Sequence, residues 1–137
     1  MKKKEYDDKI EDHDANMKKI GTTKSEFGTG RANTNAIIKF HNQKNLAKGY
    51  AAAVARAYRG GGFTDWYLPS AEELKLIFNN KGIINSTATA NGGVIFGPLA
   101  YWSSTEQSNL NAKAIRSSAM GNNEKKYATN LRAIRAF

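Results

Sequence analysis

The chain has 137 residues, a net charge of +9 and no cysteine. That length favours one domain with a core of its own, and the missing thiols exclude a disulfide scaffold, a thiolate zinc site and a cysteine nucleophile. His13 and His41 are the only histidines, which excludes a three-histidine metal site, and no apolar run approaches the roughly 20 residues that span a bilayer.

Residues 1–24 hold seven Lys and six Asp or Glu, residues 25–100 eight basic and four acidic residues, and residues 101–137 six basic and two acidic. The positive excess therefore concentrates toward the C-terminal end. It can attract anionic partners, or serve solubility alone, since no run of five or six basic residues occurs. The opening Met-Lys-Lys-Lys has the basic start of a signal peptide without the apolar stretch that should follow. Either the protein is not secreted by that route or a larger chain has been cut. The compartment stays open: cytoplasmic, virion-associated, or part of a larger exported chain. Residues 1–27 are expected to form a charged tail, a short helix or a junction, with only Tyr6, Ile10, Met17 and Ile20 as anchors in its first 24 positions.

Gly28-Thr29-Gly30-Arg31-Ala32-Asn33-Thr34 reads as a loop ending in a helix cap, with Asn33 or Thr34 as the capping residue. The helix is predicted from Asn35 to His41. A dinucleotide loop would need a preceding apolar strand and a third glycine, both missing, so a structural turn is the better reading. Asn45 to Arg59 is a second predicted helix with a Leu46, Tyr50, Val54, Ala57 stripe, stopped by Gly60-Gly61-Gly62. Trp66 to Leu68 reads as a short strand ended by Pro69. Ser70 and Glu73 have capping-box spacing, and Leu74, Ile77 and Phe78 fall on one helical face. Asn79-Asn80-Lys81-Gly82 should end that helix.

Residues 83–99 read as a long surface loop, with Val94 to Phe96 as a candidate strand. Tyr101 to Thr105, Asn111 to Met120 and Leu131 to Phe137 are further strands, with Gly121-Asn122-Asn123 as a hairpin turn between the last two. Helices followed by an antiparallel sheet give an α+β fold. Period two puts Asn109, Asn111 and Lys113 on one strand face and Leu110, Ala112 and Ala114 on the other. Asn, Ser and Tyr suit an adaptable recognition surface, although Asn and Ser also enrich ordinary loops. Arg132 and Arg135 should point to opposite faces, the inward one paired with Asp65 or Glu73. Trp66 and Trp102 read as core.

Chemistry is sparse. Ser70, Ser103 and Ser104 have no nearby histidine to form a triad. The Glu-Pro-Asn and Trp-Asn-Asp signatures of calcium-dependent lectins are replaced by Gly97-Pro98-Leu99 and Trp102-Ser103-Ser104. No enzyme activity, cofactor or metal is expected. Nucleic acid is not an expected partner, since no nucleic-acid-binding motif appears, and membrane insertion is not expected either.

Four motifs in order carry a resemblance: Gly28-Thr29-Gly30-Arg31-Ala32-Asn33-Thr34; Asp65-Trp66-Tyr67-Leu68-Pro69-Ser70 with Glu73-Leu74; Tyr101-Trp102-Ser103-Ser104-Thr105-Glu106; and Leu131-Arg132-Ala133-Ile134-Arg135-Ala136-Phe137. Together they resemble the C-type-lectin-like domain family that includes the C-terminal domain of the Legionella collagen-like adhesin and domains of bacterial surface and phage proteins. The resemblance covers residues 28–137. It implies helices packed on a small twisted antiparallel sheet and a non-enzymatic display module. It also implies a solvent-facing C-terminal surface of the kind rewritten by diversity-generating retroelements. The alternative it implies is a fixed adhesin that binds sulfated glycosaminoglycan or another polyanion through Lys113, Arg116, Lys125 and Lys126. Expected partners are a protein or glycan on a cell surface, a polyanion, and further copies of the chain, since display modules of this kind are often trimeric. Two departures stand out: members often carry an aromatic residue where this sequence has Lys113, and the strand pair that precedes the GTG loop in the family has no clear counterpart. On this reading the ligand-binding residues are Tyr101, Ser103, Thr105, Asn109, Asn111, Lys113, Arg116, Ser118, Asn122, Asn123, Lys126, Tyr127 and Asn130.

Overall fold

The computed structural model describes residues 20–21, 23–44, 50–97, 99–108, 111–116, 119–125 and 129–136. Among them run four α-helices, α1 (Gly30–Lys44), α2 (Ala51–Ala57), α3 (Ala71–Asn79) and α4 (Lys81–Ala90), with a 3-10 turn at Gly60–Gly62. Strands β1 (Tyr101–Glu106), β2 (Asn111–Arg116) and β3 (Ala119–Glu124) follow. They form a three-stranded antiparallel sheet in the order β1-β2-β3, so the α+β class holds.

Pairing register assigns the side chains to faces. Tyr101 opposes Ile115, which opposes Met120; Trp102 opposes Ala114, which opposes Gly121. The first row packs on α3: Leu74, Phe78, Phe96, Tyr101 and Ile115 form one buried cluster, with Ile77, Ile84 and Met120 against it. Its three rings meet edge to face, Phe78 to Phe96 at 5.1 Å, Phe78 to Tyr101 at 5.5 Å and Phe96 to Tyr101 at 5.0 Å. The second row packs on α2: Ala55, Leu68, Trp102 and Ala114 form the other cluster, flanked by Leu131 and Ala133. The sheet is thus buried on both sides at β1 and becomes exposed toward β3.

Several elements differ from expectation for identifiable reasons. Helix α1 begins at Gly30 rather than Asn35, and Asn33 and Thr34 are buried inside its first turns. Asn33 Oδ1 accepts from Lys24 N at 2.8 Å, and its Nδ2 donates to Lys24 O and Ser104 Oγ. Thr34 Oγ1 accepts from Leu68 N at 3.0 Å. Both are tertiary ties, not caps. The second predicted helix is seen from Ala51 to Ala57; residues 45–49 lie outside the described residues.

Residues 83–90, read as loop, and Lys81-Gly82, read as a helix stop, form α4 despite a run of Asn, Ser and Thr. Packing of Ile84 on the core and a 2.8 Å bond from Phe96 N to Asn85 Oδ1 hold what local propensity would not. Val94 to Phe96 form no strand; Phe96 is simply buried. Gly121-Asn122-Asn123 lies within β3, paired with Ala112 to Ala114 of β2, and not in a turn. The Trp66–Leu68 and C-terminal strands shrink to one bridge, Tyr67 to Ile134, with both backbone bonds at 2.9 Å. Trp102 is buried and Trp66 half-buried. Arg135 pairs with Asp65, as anticipated for one of the two arginines, and Arg132 lies over the Phe96 ring at 4.6 Å.

Residues 20, 21 and 23–26 belong to this framework although the sequence placed them in a separate segment. They supply acceptors to three other elements, through the carbonyls of Lys24, Ser25 and Glu26.

Candidate functional site

Strand β1 departs from a regular ladder. Trp102 opposes Ala114 while Glu106 opposes Ala112, so three residues of β1 face Lys113 alone. Their hydroxyls replace the lost ladder bonds. Ser103 Oγ donates to Lys113 O at 2.7 Å and accepts from Thr105 N at 3.1 Å. Ser104 N donates to Pro69 O at 2.7 Å. Thr105 Oγ1 accepts from Ala71 N and donates to Lys24 O, both at 2.9 Å.

The bulge thereby meets the N-terminus of α3, whose free amides are all accounted for. Ser70 N donates to Glu73 Oε1, Ala71 N to Thr105 Oγ1, Glu72 N to Ser25 O, and Glu73 N to Ser70 Oγ. The predicted capping box is present.

These contacts correct the expected site at three positions. Ser103 and Thr105 are buried, with every hydroxyl committed to backbone. Tyr101 is buried in the α3-facing cluster, and its hydroxyl accepts from Gly97 N at 3.0 Å. None of the three faces solvent. Asn109, Ser118, Lys126 and Tyr127 lie outside the described residues.

The others fall into two groups. Asn111, Lys113 and Asn122 share the α3-facing side of the sheet beyond its buried end, with Lys113 directly opposite Asn122. Ala112 and Ala114 pack with Trp102 on the other side, as period two predicts. Lys113 is half-buried and its Nζ reaches Ser25 Oγ at 3.5 Å. Arg116 and Asn130 are exposed and line an open cleft of about 260 Å³ with Leu99, Ala100 and Thr129. Asn123 is half-buried, and its Nδ2 donates to Thr129 Oγ1 at 3.4 Å. Thr129, Leu99 and Ala100 were missed because nothing in the sequence brings residues 99–100 beside 129–130; the parallel bridge of Tyr101 to Asn130 does so.

Lys125, expected in a basic patch, is instead paired. Its Nζ lies 2.7 Å from Glu106 Oε2. The same carboxylate accepts from Ile20 N at 2.8 Å and Gly21 N at 2.9 Å. Burial opposes ionisation of Glu106, but Gly21 N, Lys125 and Ile20 N outweigh it and hold the acid below the usual glutamate range. A depressed folded pKa adds stability above the ordinary glutamate pKa, and that stability is lost as pH falls through the folded value. Melting temperature should therefore drop as pH is taken below about 4, and Glu106→Gln should flatten that acid limb. Superimposable acid limbs for the two proteins would show that the carboxylate does not carry it.

Among the described residues no group of three or more His, Cys, Asp and Glu is placed to hold a metal, and no helix is long and apolar enough to cross a membrane. The chain matches no family model, no curated protein and no solved structure.

Proposed function

We propose that this chain is a non-enzymatic ligand-binding domain of the C-type-lectin-like kind, and that its C-terminal segment presents a variable recognition surface for a protein or glycan. The observation that carries this reading is a division of labour along one sheet. Ser103, Ser104 and Thr105 of β1 are buried and hydrogen-bonded within the fold, Ser103 and Thr105 to backbone and Ser104 Oγ to Asn33 Nδ2. The polar residues beyond it, Arg116, Asn122 and Asn130, are exposed, and two of them line the cleft. A scaffold whose hydrogen bonds close internally tolerates exchange of side chains that it does not use. The paired state of Lys125 and the partial burial of Lys113 weigh against a fixed polyanion patch at this end.

The test is to sequence the 3′ end of the gene, with its flanking DNA, across many related isolates. The expected result is substitution confined to adenine-bearing codons at Asn111, Lys113, Arg116, Asn122 and Asn130, beside a near-copy template and a reverse transcriptase. Ser103, Ser104 and Thr105 should be constant in the same set. An invariant tail with no template overturns the variable reading and leaves a fixed-specificity adhesin, whose heparin retention against salt would then be measured.

A further inference from the structure

The connection from α2 to α3 builds a surface that the C-terminal segment does not share. Tyr58 lies over Gly60, where any side chain would collide with its ring, and meets Trp66 edge to face at 4.9 Å. Trp66 Nε1 donates to Gly60 O at 3.1 Å and fixes the turn. The inner side of the tyrosine ring is thus covered, yet Tyr58 stays 52% exposed. Gly61 and Gly62, at φ of 68° and 78°, carry the chain back through conformations that suit glycine.

Arg56 and Arg59 flank Tyr58 in sequence and bond to the same turn. Arg56 donates to Trp66 O and to Asn35 Oδ1, and Arg59 to the carbonyls of Arg56 and Tyr58. All four acceptors are neutral, so both cations keep their charge. Asp65 is the one carboxylate in these contacts, and it is shared by Arg31 and Arg135. The hydrogen bond from Arg135 holds Asp65 below the usual carboxylate range, so it stays ionised and occupied. The bonds of Arg56 and Arg59 go to carbonyl and amide oxygens and not to this carboxylate.

We propose that this surface is a binding site for single-stranded nucleic acid, with phosphates on Arg56 and Arg59 and a base stacked on Tyr58. The chemistry fits on both counts. Guanidinium forks match phosphate oxygens, and an exposed aromatic face beside them takes any base. Other polyanions use only half of the surface. A sulfated polymer meets the arginines and leaves the tyrosine face idle. A neutral glycan needs free acceptors for its hydroxyls, and Asp65 is taken. A membrane wedge needs an apolar ring free to insert, whereas Phe63, though 44% exposed, carries the Arg135 guanidinium over its ring at 3.5 Å. The site goes beyond the ligand-binding reading above and shares no residue with it.

Fluorescence anisotropy of a short labelled oligothymidylate with the whole chain tests it. Affinity should fall with salt at a log–log slope of about −1.4, some −0.7 for each of two phosphates. Tyr58→Ala should weaken binding about 5- to 100-fold, while Tyr58→Phe, which keeps the ring, should not. An abasic strand of equal length should bind native protein as weakly as oligothymidylate binds Tyr58→Ala. Arg59→Ala should reduce the magnitude of the slope by about 0.7, a readout that survives if Tyr58→Ala fails to fold. No oligonucleotide binding, or binding indifferent to both Tyr58→Ala and Arg59→Ala, overturns the proposal. Capture by heparin or by phosphatidylserine vesicles without oligonucleotide binding overturns it too, and gives the arginines to a sulfated polymer or a lipid surface.

Discussion

Glu73→Ala is expected to lower the unfolding free energy by about 3–5 kcal/mol, read from urea titration at neutral pH. The side chain is 5% exposed and its Oε1 accepts two backbone amides, from Gly30 at 2.8 Å and Ser70 at 3.0 Å. Its Oε2 faces the Tyr67 hydroxyl at 3.5 Å, whose own ionisation is pushed up by burial and by the neighbouring acid. Truncation strands both buried amides, at about 1–3 kcal/mol each. That is a large share of a domain stability of about 5–15 kcal/mol. Glu73→Gln keeps a carbonyl oxygen for the two amides and should cost about 1–2 kcal/mol. Equal losses for the two variants would show that the cavity, rather than the amides, sets the penalty. The same geometry fixes Gly30. A methyl group there would collide with Glu73 Oε1 and stand 2.9 Å from both Leu68 O and Ser70 N, so the glycine is required by close approach and not by its φ.

What could be read from the sequence follows from how local each cause is. The capping box at Ser70 and Glu73 and the Leu74, Ile77, Phe78 stripe are defined within one helix, and both stand in the structure. Strand β1 was legible from its aromatic start, but its bulge was not, because a bulge depends on the partner strand. The same is true of Ser103 and Thr105. Polar residues at the end of a short strand look like surface until the backbone partners from residues 24, 71 and 113 are in place. Asn33 and Thr34 carry the chemistry of caps, and the sequence has no way to show that Lys24, Leu68 and Ser104 will claim them instead. Gly121 was read as a turn because glycine tolerates positive φ, yet here it is extended strand opposite Ala114. Of the candidate site, exposure of Arg116, Asn122 and Asn130 was legible; the cleft that joins Arg116 to Asn130 depends on a non-local bridge and was not.

Thr105→Val should cost about 2–3 kcal/mol, although the substitution is nearly isosteric and leaves no cavity. The hydroxyl is the acceptor for Ala71 N, one of the amides that α3 cannot satisfy within itself, and it donates to Lys24 O. Valine leaves the buried Ala71 N–H without its acceptor and takes one donor from Lys24 O, which keeps those of Asn33 Nδ2 and Thr29 Oγ1. The loss should divide unevenly between the two ends. Amide exchange at Ala71 should accelerate most, and exchange at Lys24, whose N–H bonds to Asn33 Oδ1, should follow as the backbone at Lys24 loosens. Thr105→Ser keeps the oxygen and should recover most of the stability. The comparison also bears on how recognition and folding are kept apart. Asn122→Ala and Arg116→Ala, at exposed positions with no recorded role in these bonds, should shift stability by no more than about 0.5 kcal/mol. If exposed and buried polar positions gave equal losses, the division between a closed scaffold and an exchangeable surface would not exist, and the ligand-binding reading would lose the observation that carries it.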